Sequence, residues 1–197
     1  MLQPGKVSMS ERVSVFVNGD NLYSFQNRNF WVDPKLFLGW IEQEYGTIVD
    51  AFYYLNYDAD NDGQNKFLGA LPHFGYIPVA HPVIKHELEP IVGVSNPDEP
   101  EYEYERFNLS MDITCDLLST INNYDRAVFA FMSEEFTRPI KILRDRGKAV
   151  SLIAGKGYAA HNVLSLFGRN YVDINTIRKR VERKDRHRGV PEFSQRN

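Results

Sequence analysis

The pattern of apolar and polar residues is most distinctive near the start of the chain. A β-branched, mostly apolar run at residues 13–17 stops at the polar sequence Asn18-Gly19-Asp20-Asn21. Such a run predicts a buried strand, and in an α/β sheet the ligand crevice lies beyond the carboxyl ends of the strands. We therefore expect Asn18, Asp20 and Asn21 at that crevice. The alternative is an ordinary strand-to-helix loop in which Asp20 or Asn21 caps the helix.

The rest of the chain alternates short apolar runs with amphipathic segments. The apolar runs predict strands at residues 48–55, 76–83, 126–132, 148–155 and 171–174. The amphipathic segments predict helices at residues 34–45, 66–71, 110–121, 133–146 and 161–167, and a last helix from residue 175. This alternation predicts an α/β fold, in which a single domain has a mostly parallel, Rossmann-like sheet with helices on both faces.

Prolines mark two departures from this pattern. Pro78 and Pro82 interrupt the third strand, which we therefore expect at an edge of the sheet. Residues 85–106 contain three further prolines and seven acidic residues, so we expect a mobile, solvated excursion there. Because its acids alternate with Tyr102 and Tyr104, a strand-like flap or a partner-binding segment is the alternative.

Composition limits the class of protein. The chain has 197 residues, of which 43% are hydrophobic and 13% aromatic, so it can bury a substantial core as one domain. The single cysteine, Cys115, excludes an intrachain disulfide and fits a reducing compartment. Residues 1–12 lack the apolar core of a signal peptide, and no apolar run approaches the roughly 18 residues of a membrane span. We expect a cytoplasmic protein with no membrane partner.

Charge is unevenly distributed along the chain. The net charge is −3, but residues 178–188 hold seven Lys/Arg against two acids and carry +5, which leaves −8 for the remainder. One interpretation is the solvated end of a carboxyl-terminal helix, frayed after about Lys184. The other is an arm that follows RNA phosphates, because lysine and arginine displace condensed counterions without base-specific contacts. Its candidate RNA contacts are Arg178, Lys179, Arg180, Arg183 and Lys184.

Three segments, in order, resemble the NYN domain, the LabA-like branch of the PIN-like nucleases. Residues 15–23 (VFVNGDNLY) resemble its opening "VFVDGxNLY" strand. Residues 109–118 (LSMDITCDLL) resemble "VDVxLxxDxL", and residues 124–148 resemble "YDxAVLVSGDGDFxPLVxxLRxxGK". The resemblance covers residues 12–175 and implies a PIN-like fold, which leaves residues 176–197 as a basic carboxyl-terminal helix and tail.

The resemblance implies a site of four acidic groups that bind a divalent metal for cleavage of RNA. Mg²⁺ and Mn²⁺ prefer carboxylate oxygen, and their charge lowers the pKa of bound water. Carried over by position, these acids fall on Asn18, Ser110, Ser133 and Glu135, with Asp116 in the matched "DxL". Only Glu135 is still acidic, so the resemblance implies an impaired metal site.

A second alignment of the same family motif with residues 109–118 places acidic residues at more of the metal-binding positions. In that alignment Asp112 takes the place of Ser110, and Asp112 and Asp116 share a helix face because they are four residues apart. With Asp20 and Glu135 they would form a displaced metal cluster. Mg²⁺ or Mn²⁺ would then be the cofactor of an active enzyme, whereas an impaired protein needs none.

Three functions follow from these alternatives. The first is a catalytically impaired protein of this family that binds RNA or a protein partner. The second is an active metal-dependent ribonuclease that uses Asp20, Asp112 or Asp116, and Glu135. The third is an interaction or oligomerisation module without a nucleic-acid role. Outside the tail, Asn21 and Lys156 are the candidate RNA contacts; Lys156 follows a strand in a tight Gly-Lys-Gly turn.

Overall fold

The computed structural model describes residues 11–88, 102–158 and 161–184, and the side chains of residues 161 and 162 are not among what it describes. Its strands are β1 (Arg12–Asn18), β2 (Thr47–Tyr57), β3 (Ile77–Pro82), β4 (Ile84–Glu87), β5 (Tyr102–Glu105), β6 (Arg126–Ala130), β7 (Ala149–Ala154) and β8 (Tyr171–Asp173). Six of these form one sheet in the order β3-β2-β1-β6-β7-β8. Every pairing in it is parallel, so the predicted parallel α/β sheet is confirmed.

Helices follow most of these strands. They are α1 (Gly19–Gln26), α2 (Pro34–Tyr45), α3 (Asp62–Ala70), α4 (Leu109–Ser119), α5 (Thr137–Asp145), α6 (His161–Phe167) and α7 (Arg178–Val181). Short 3₁₀ turns lie at Leu71–Phe74, Glu134–Phe136, Gly168–Asn170 and Ile174–Ile177. Asp33 caps α2 by accepting a hydrogen bond from the Leu36 N–H, as its Asp-Pro sequence predicts.

The centre of the sheet explains why the first apolar run is nearly unbroken. Strand β1 lies between β2 and β6, and Val13, Val15 and Val17 are fully buried. Phe16 stacks between Phe52 and Phe129, its neighbours on the two adjacent strands. A parallel strand covered on both faces needs apolar side chains at nearly every position.

Alternation along β2 places helices on opposite faces of the sheet. Tyr53 contacts the ring of Phe67 on α3, whereas the Tyr54 hydroxyl donates to Asp116 on α4. Side chains of adjacent strand residues point to opposite faces. Helices α3 and α4 therefore cover different faces, as predicted.

Two local predictions near the strand ends are wrong. Helix α1 is capped by Asn18, whose side chain accepts from the Asn21 N–H, and not by Asp20 or Asn21. The last helix does not run from residue 175 to about 184, because α7 ends at Val181 and Glu182 forms an antiparallel bridge with Val32. That pairing takes backbone groups that a longer helix would have used.

The acidic segment at residues 85–106 is a flap at its described ends, and not the expected loop. Strands β4 and β5 pair antiparallel, with Lys85 opposite Tyr104. The Lys85 ammonium lies 2.9 Å from Asp58 and 2.8 Å from Asp60, in the loop after β2. Residues 89–101 of the segment lie outside the described residues. Strand β3 is the edge strand that its prolines predict.

The tight approach of α1 to β2 predicts a specific stability effect. A Cβ added at Gly19 would lie 2.6 Å from the Tyr54 carbonyl oxygen and 2.5 Å from the Tyr53 ring. We expect Gly19→Ala to lower the free energy of unfolding by about 1–3 kcal/mol, as overpacking does. The matched variant is Gly69→Ala within α3, where a Cβ meets nothing within 4 Å, and it should gain about 0.5–1 kcal/mol. Urea denaturation measures both, and equal stability of the two variants would contradict the packing argument.

Candidate functional site

The carboxyl end of β1 supplies the first part of the site. Asn18 is 7% exposed and its Oδ1 accepts the Asn21 N–H at 3.0 Å, which begins α1. The Asn21 side chain in turn donates from Nδ2 to the Phe131 carbonyl oxygen at 2.9 Å. Both asparagines therefore serve the local backbone, and Asn21 joins α1 to the end of β6.

Phe131 adopts an unusual backbone conformation at this point. Its φ of +60° makes it the one non-glycine residue in the described chain with a positive φ, a geometry that is rare for a bulky side chain and costs about 1–3 kcal/mol. Its N–H donates to the Ile153 carbonyl oxygen, and its ring packs against Phe25. These contacts and the Asn21 amide hold the turn that directs Ser133 and Glu135 away from the strand.

Ser110, Ser133 and Glu135, which the resemblance assigns to the metal site, meet in space. The Ser110 hydroxyl donates to Glu135 Oε1 at 2.7 Å, and the Ser133 hydroxyl lies near enough to favour the ionised form of this carboxylate. Burial alone would raise the pKa of Glu135, but these hydroxyls and a backbone N–H outweigh it, so the pKa lies below its ordinary value. The hydroxyls thus stabilise the ionised carboxylate. Ser133 stands at the start of the 3₁₀ turn Glu134–Phe136, and its side chain makes no capping hydrogen bond there.

Asp20 is bound to the neighbouring strand. Its carboxylate accepts from the Asn56 backbone N–H at 3.0 Å and from the Asn56 side chain at 2.9 Å. Asn56 also exchanges hydrogen bonds with the backbone of Phe107, and Arg106 lies 3.6 Å from Asp20. Asp20 therefore helps to hold the segment that enters α4.

Asp112 and Asp116 lie on one face of α4, as their spacing predicts, but each contacts a different partner. Asp112 is 2.7 Å from His81 Nε2, and the His81 ring stacks on Phe107. Asp116 accepts from the buried Tyr54 hydroxyl at 3.0 Å. Burial and nearby Asp112 raise the pKa of Asp116, and they outweigh the opposing hydrogen bond from Tyr54.

The arrangement does not match the donor set of a hard divalent cation. Among the described residues, no group of three or more His, Cys, Asp or Glu side chains is placed to hold a metal. The proposed acids Asp20, Asp112, Asp116 and Glu135 are instead divided among separate polar partners. At the family positions Glu135 is the single carboxylate, and neutral oxygens offer Mg²⁺ a dipole without the charge that offsets its dehydration.

The predicted RNA contacts fall into two groups. Arg178 pairs with Glu182 and lies over Phe30, and Arg180 donates to Gln43 and lies over Trp40. These two arginines are used in packing. Lys156, Lys179, Arg183 and Lys184 are exposed, and no ion pair is found for them within the described chain. Lys156 occupies the predicted tight turn, in which the Tyr158 N–H donates to the Gly155 carbonyl oxygen.

Sequence reasoning missed Asn56, His81, Tyr54 and Phe107. Asn56 is 2% exposed at the end of an otherwise apolar strand, and a buried amide of this kind signals a required hydrogen-bond partner. His81 carried no local signal, because its partner Asp112 is distant in sequence. Its position on the edge strand brings it to α4.

The described helices include none that is both long and apolar enough to cross a membrane.

Comparison with known proteins gives concordant results. The NYN domain family matches residues 12–183. The chain is 27% identical over 177 residues to the "Low amplitude and bright protein LabA" of Synechococcus elongatus, which covers 89% of this chain and 90% of that protein. The fold is similar to the crystal structure of a protein of unknown function from Vibrio parahaemolyticus RIMD 2210633. That similarity has a TM-score of 0.63 at 17% identity, and covers 86% of this chain and 96% of the other.

The family match and the fold cover the same part of the chain. The matched residues include all six strands of the parallel sheet and the helices between them. The ordered motifs at residues 15–23, 109–118 and 124–148 lie at the carboxyl edge of that sheet or lead into it. The chain therefore belongs to the NYN domain family, as a LabA-like protein with the PIN-like ribonuclease fold.

Proposed function

We propose that this protein binds single-stranded RNA on the NYN fold without cleaving it by metal catalysis. The observation that carries the proposal is the closed cluster of Ser110, Ser133 and Glu135, in which hydroxyl groups occupy positions that the family fills with acids. Asn18, at the remaining family position, is used as a helix cap.

Charge is the physical reason for the loss of catalysis. A divalent cation gives up part of its hydration shell only where several anionic oxygens replace it. Of the four family positions, Glu135 alone supplies an anion, and the Ser110 hydroxyl already donates to it. Without a bound cation, no group among these four lowers the pKa of an attacking water or offsets charge on phosphate.

Exposed basic side chains support the RNA-binding part of the proposal. Lys179, Arg183 and Lys184 lie in the carboxyl-terminal segment, and Lys156 lies after β7. These cations have no ion pair within the part of the chain that the structure describes, so they are available to neutralise phosphates, whose counterions are then released. Family membership adds to this argument, because the NYN domain has a ribonuclease fold.

The main test measures binding and cleavage in one set of reactions. A 5′-labelled single-stranded RNA of 20 nucleotides should bind equally well in EDTA and in 5 mM Mn²⁺, and remain intact in both. Fluorescence anisotropy measures the affinity, and gel electrophoresis detects the products. Cleavage that EDTA abolishes and that Glu135→Gln removes would refute the proposal, as would the absence of any RNA binding.

Restoring the acids should create a metal site that the parent lacks. In the triple variant N18D/S110D/S133D, four carboxylates converge and repel one another until a cation binds. We expect its melting temperature to fall in EDTA and to rise by several degrees in 5 mM Mn²⁺, since a ligand that binds only the native state stabilises it. The parent should show no such rise. The isosteric control N18D/S110N/S133N has two fewer charges, and an equal response to Mn²⁺ would refute the assignment.

The RNA contacts predicted for the basic carboxyl-terminal segment must be tested by changes that do not unfold the protein. Deletion after Ile177 would remove buried Val181, whose carbonyl oxygen accepts the Asp33 N–H, so substitutions are better. K179Q/R183Q/K184Q should weaken binding to all RNA sequences alike. Each lost phosphate contact reduces the slope of log affinity against log salt by about 0.7. Loss of three contacts should therefore flatten that slope by roughly 2. The control R178Q/R180Q changes arginines used in packing, and an equal loss of slope there would contradict the assignment.

A further inference from the structure

A small aromatic cavity lies on the face of the sheet opposite α4. Its volume is about 60 Å³, and it is lined mainly by side chains of α1, α2, β2 and α3. Tyr53 and Leu55 form its floor, because they alternate along β2 with residues that face α4. The rest of the lining includes Tyr23, Gln26, Trp31, Phe37, Tyr76 and Arg183.

Two polar groups in this apolar lining lack partners. Gln26 is 8% exposed, and its Oε1 accepts the Val32 N–H at 2.7 Å, which fixes the amide orientation and leaves Nε2 as a donor. Tyr53 is 5% exposed. Within the described chain, neither Gln26 Nε2 nor the Tyr53 hydroxyl has a hydrogen-bond partner. Among the described residues, Trp40 Nε1 is the one fully buried side-chain polar atom without a partner, so Gln26 Nε2 and the Tyr53 hydroxyl are open to solvent in the cavity. A ligand there can therefore bind them directly.

The Tyr53 hydroxyl keeps its proton. Burial raises the pKa of Tyr53 above its ordinary value, and the nearby Asp20 carboxylate raises it further. The hydroxyl therefore offers a hydrogen to an acceptor and a lone pair to a donor. Gln26 Nε2 can only donate.

The rim of the cavity is basic and fixed in place. The Arg183 N–H donates to the Trp31 carbonyl oxygen at 2.8 Å, and Glu182 bridges Val32. These contacts anchor the start of the basic segment beside the half-exposed Tyr23 and Trp31 rings. The Arg183 and Lys184 side chains are exposed at this point, where an anion next to the cavity would meet both.

We propose that this cavity binds the base of a pyrimidine nucleotide, with the phosphate at Arg183 and Lys184. The aromatic rings supply the stacking and edge contacts that a planar base prefers. Gln26 Nε2 donates to a pyrimidine carbonyl, and the Tyr53 hydroxyl pairs with a second group on the same ring edge. The nucleotide is either free or one unit of a single-stranded RNA.

The size of the cavity favours pyrimidines over purines. A volume of 60 Å³ is well below the roughly 150 Å³ of a cavity that encloses benzene. A single ring therefore enters by one edge through the open rim, beside Tyr23 and Trp31, whose rings contact each other edge to face. A fused bicyclic base would have to displace the buried Phe37 or Tyr76, and close-packed interiors resist such displacement.

If the occupant is RNA, the inference rests on the proposed function, but its first test does not. UMP, CMP, AMP, uridine and inorganic phosphate are titrated separately into the full-length protein by calorimetry. Quenching of Trp31 fluorescence is followed in the Trp40→Phe background, where Trp31 is the sole tryptophan. We expect UMP or CMP to bind and to quench, and AMP to bind at least tenfold more weakly. Phosphate alone should not quench. Failure of both pyrimidine nucleotides to bind, or equal binding of AMP, would overturn the inference.

Variants locate the bound nucleotide. Gln26→Glu keeps the acceptor for the Val32 N–H but removes the donor, and Tyr53→Phe removes one hydroxyl; each should weaken UMP binding at least tenfold. Arg183→Gln should weaken UMP but leave the weaker binding of uridine unchanged. The control Tyr171→Phe removes a hydroxyl on β8 that donates to the Ala154 carbonyl oxygen and should change nothing. Unchanged UMP binding in both Gln26→Glu and Arg183→Gln, two variants that can be checked for folding by melting temperature, would refute the site.

A competition experiment identifies the source of the base. If octauridylate displaces UMP and Gln26→Glu weakens both, the occupant is a unit of RNA. If UMP binds and octauridylate does not displace it, the occupant is a free nucleotide. In that second case the cavity is a nucleotide site even if the RNA-binding function fails.

Discussion

The carboxyl end of β1 imposes the constraint on which the rest of the structure depends. A strand buried between two neighbours must satisfy its last polar groups without bulk water. Asn18 does so by capping α1, and Asp20 and Asn21 reach sideways in opposite directions. Asp20 binds Asn56 on β2, and Asn21 binds the Phe131 carbonyl oxygen after β6. One polar turn thereby joins three strands and fixes the strained backbone that presents Glu135.

The chemistry at the carboxyl edge of the sheet depends on which side chains surround Glu135. Partly buried carboxylates that converge repel one another unless a cation or a proton intervenes. At this edge the neighbours of Glu135 are the hydroxyls of Ser110, which donates to it, and of Ser133, and neither needs a counter-ion. The fold is therefore satisfied by its own side chains at the point where an acidic cluster would need a metal.

The sequence predicts those features that local patterns determine. Apolar runs locate the strands, prolines assign β3 to the edge, and the spacing of Asp112 and Asp116 places them on one helix face. The features it misses depend on distant contacts. The Asp112 and His81 pair joins α4 to β3, and residues 31–33 terminate α7 by pairing with residues 181–183. Local composition does not separate the flap at β4 and β5 from a solvated loop, because both are polar and proline-rich.

The two faces of the sheet differ in charge, and this difference links the altered edge to the basic segment. Without a cation, Asp112, Asp116 and Glu135 leave the α4 side negative, and a negative surface repels phosphate. The exposed Arg183 and Lys184 lie on the other side, where the backbone pairing with Trp31 and Val32 holds them near α1. Gly19 begins α1 and lines the cavity there, next to Asp20, which binds Asn56. Under the proposed function, a phosphate-bearing ligand would thus bind at the aromatic cavity and not at the α4 face.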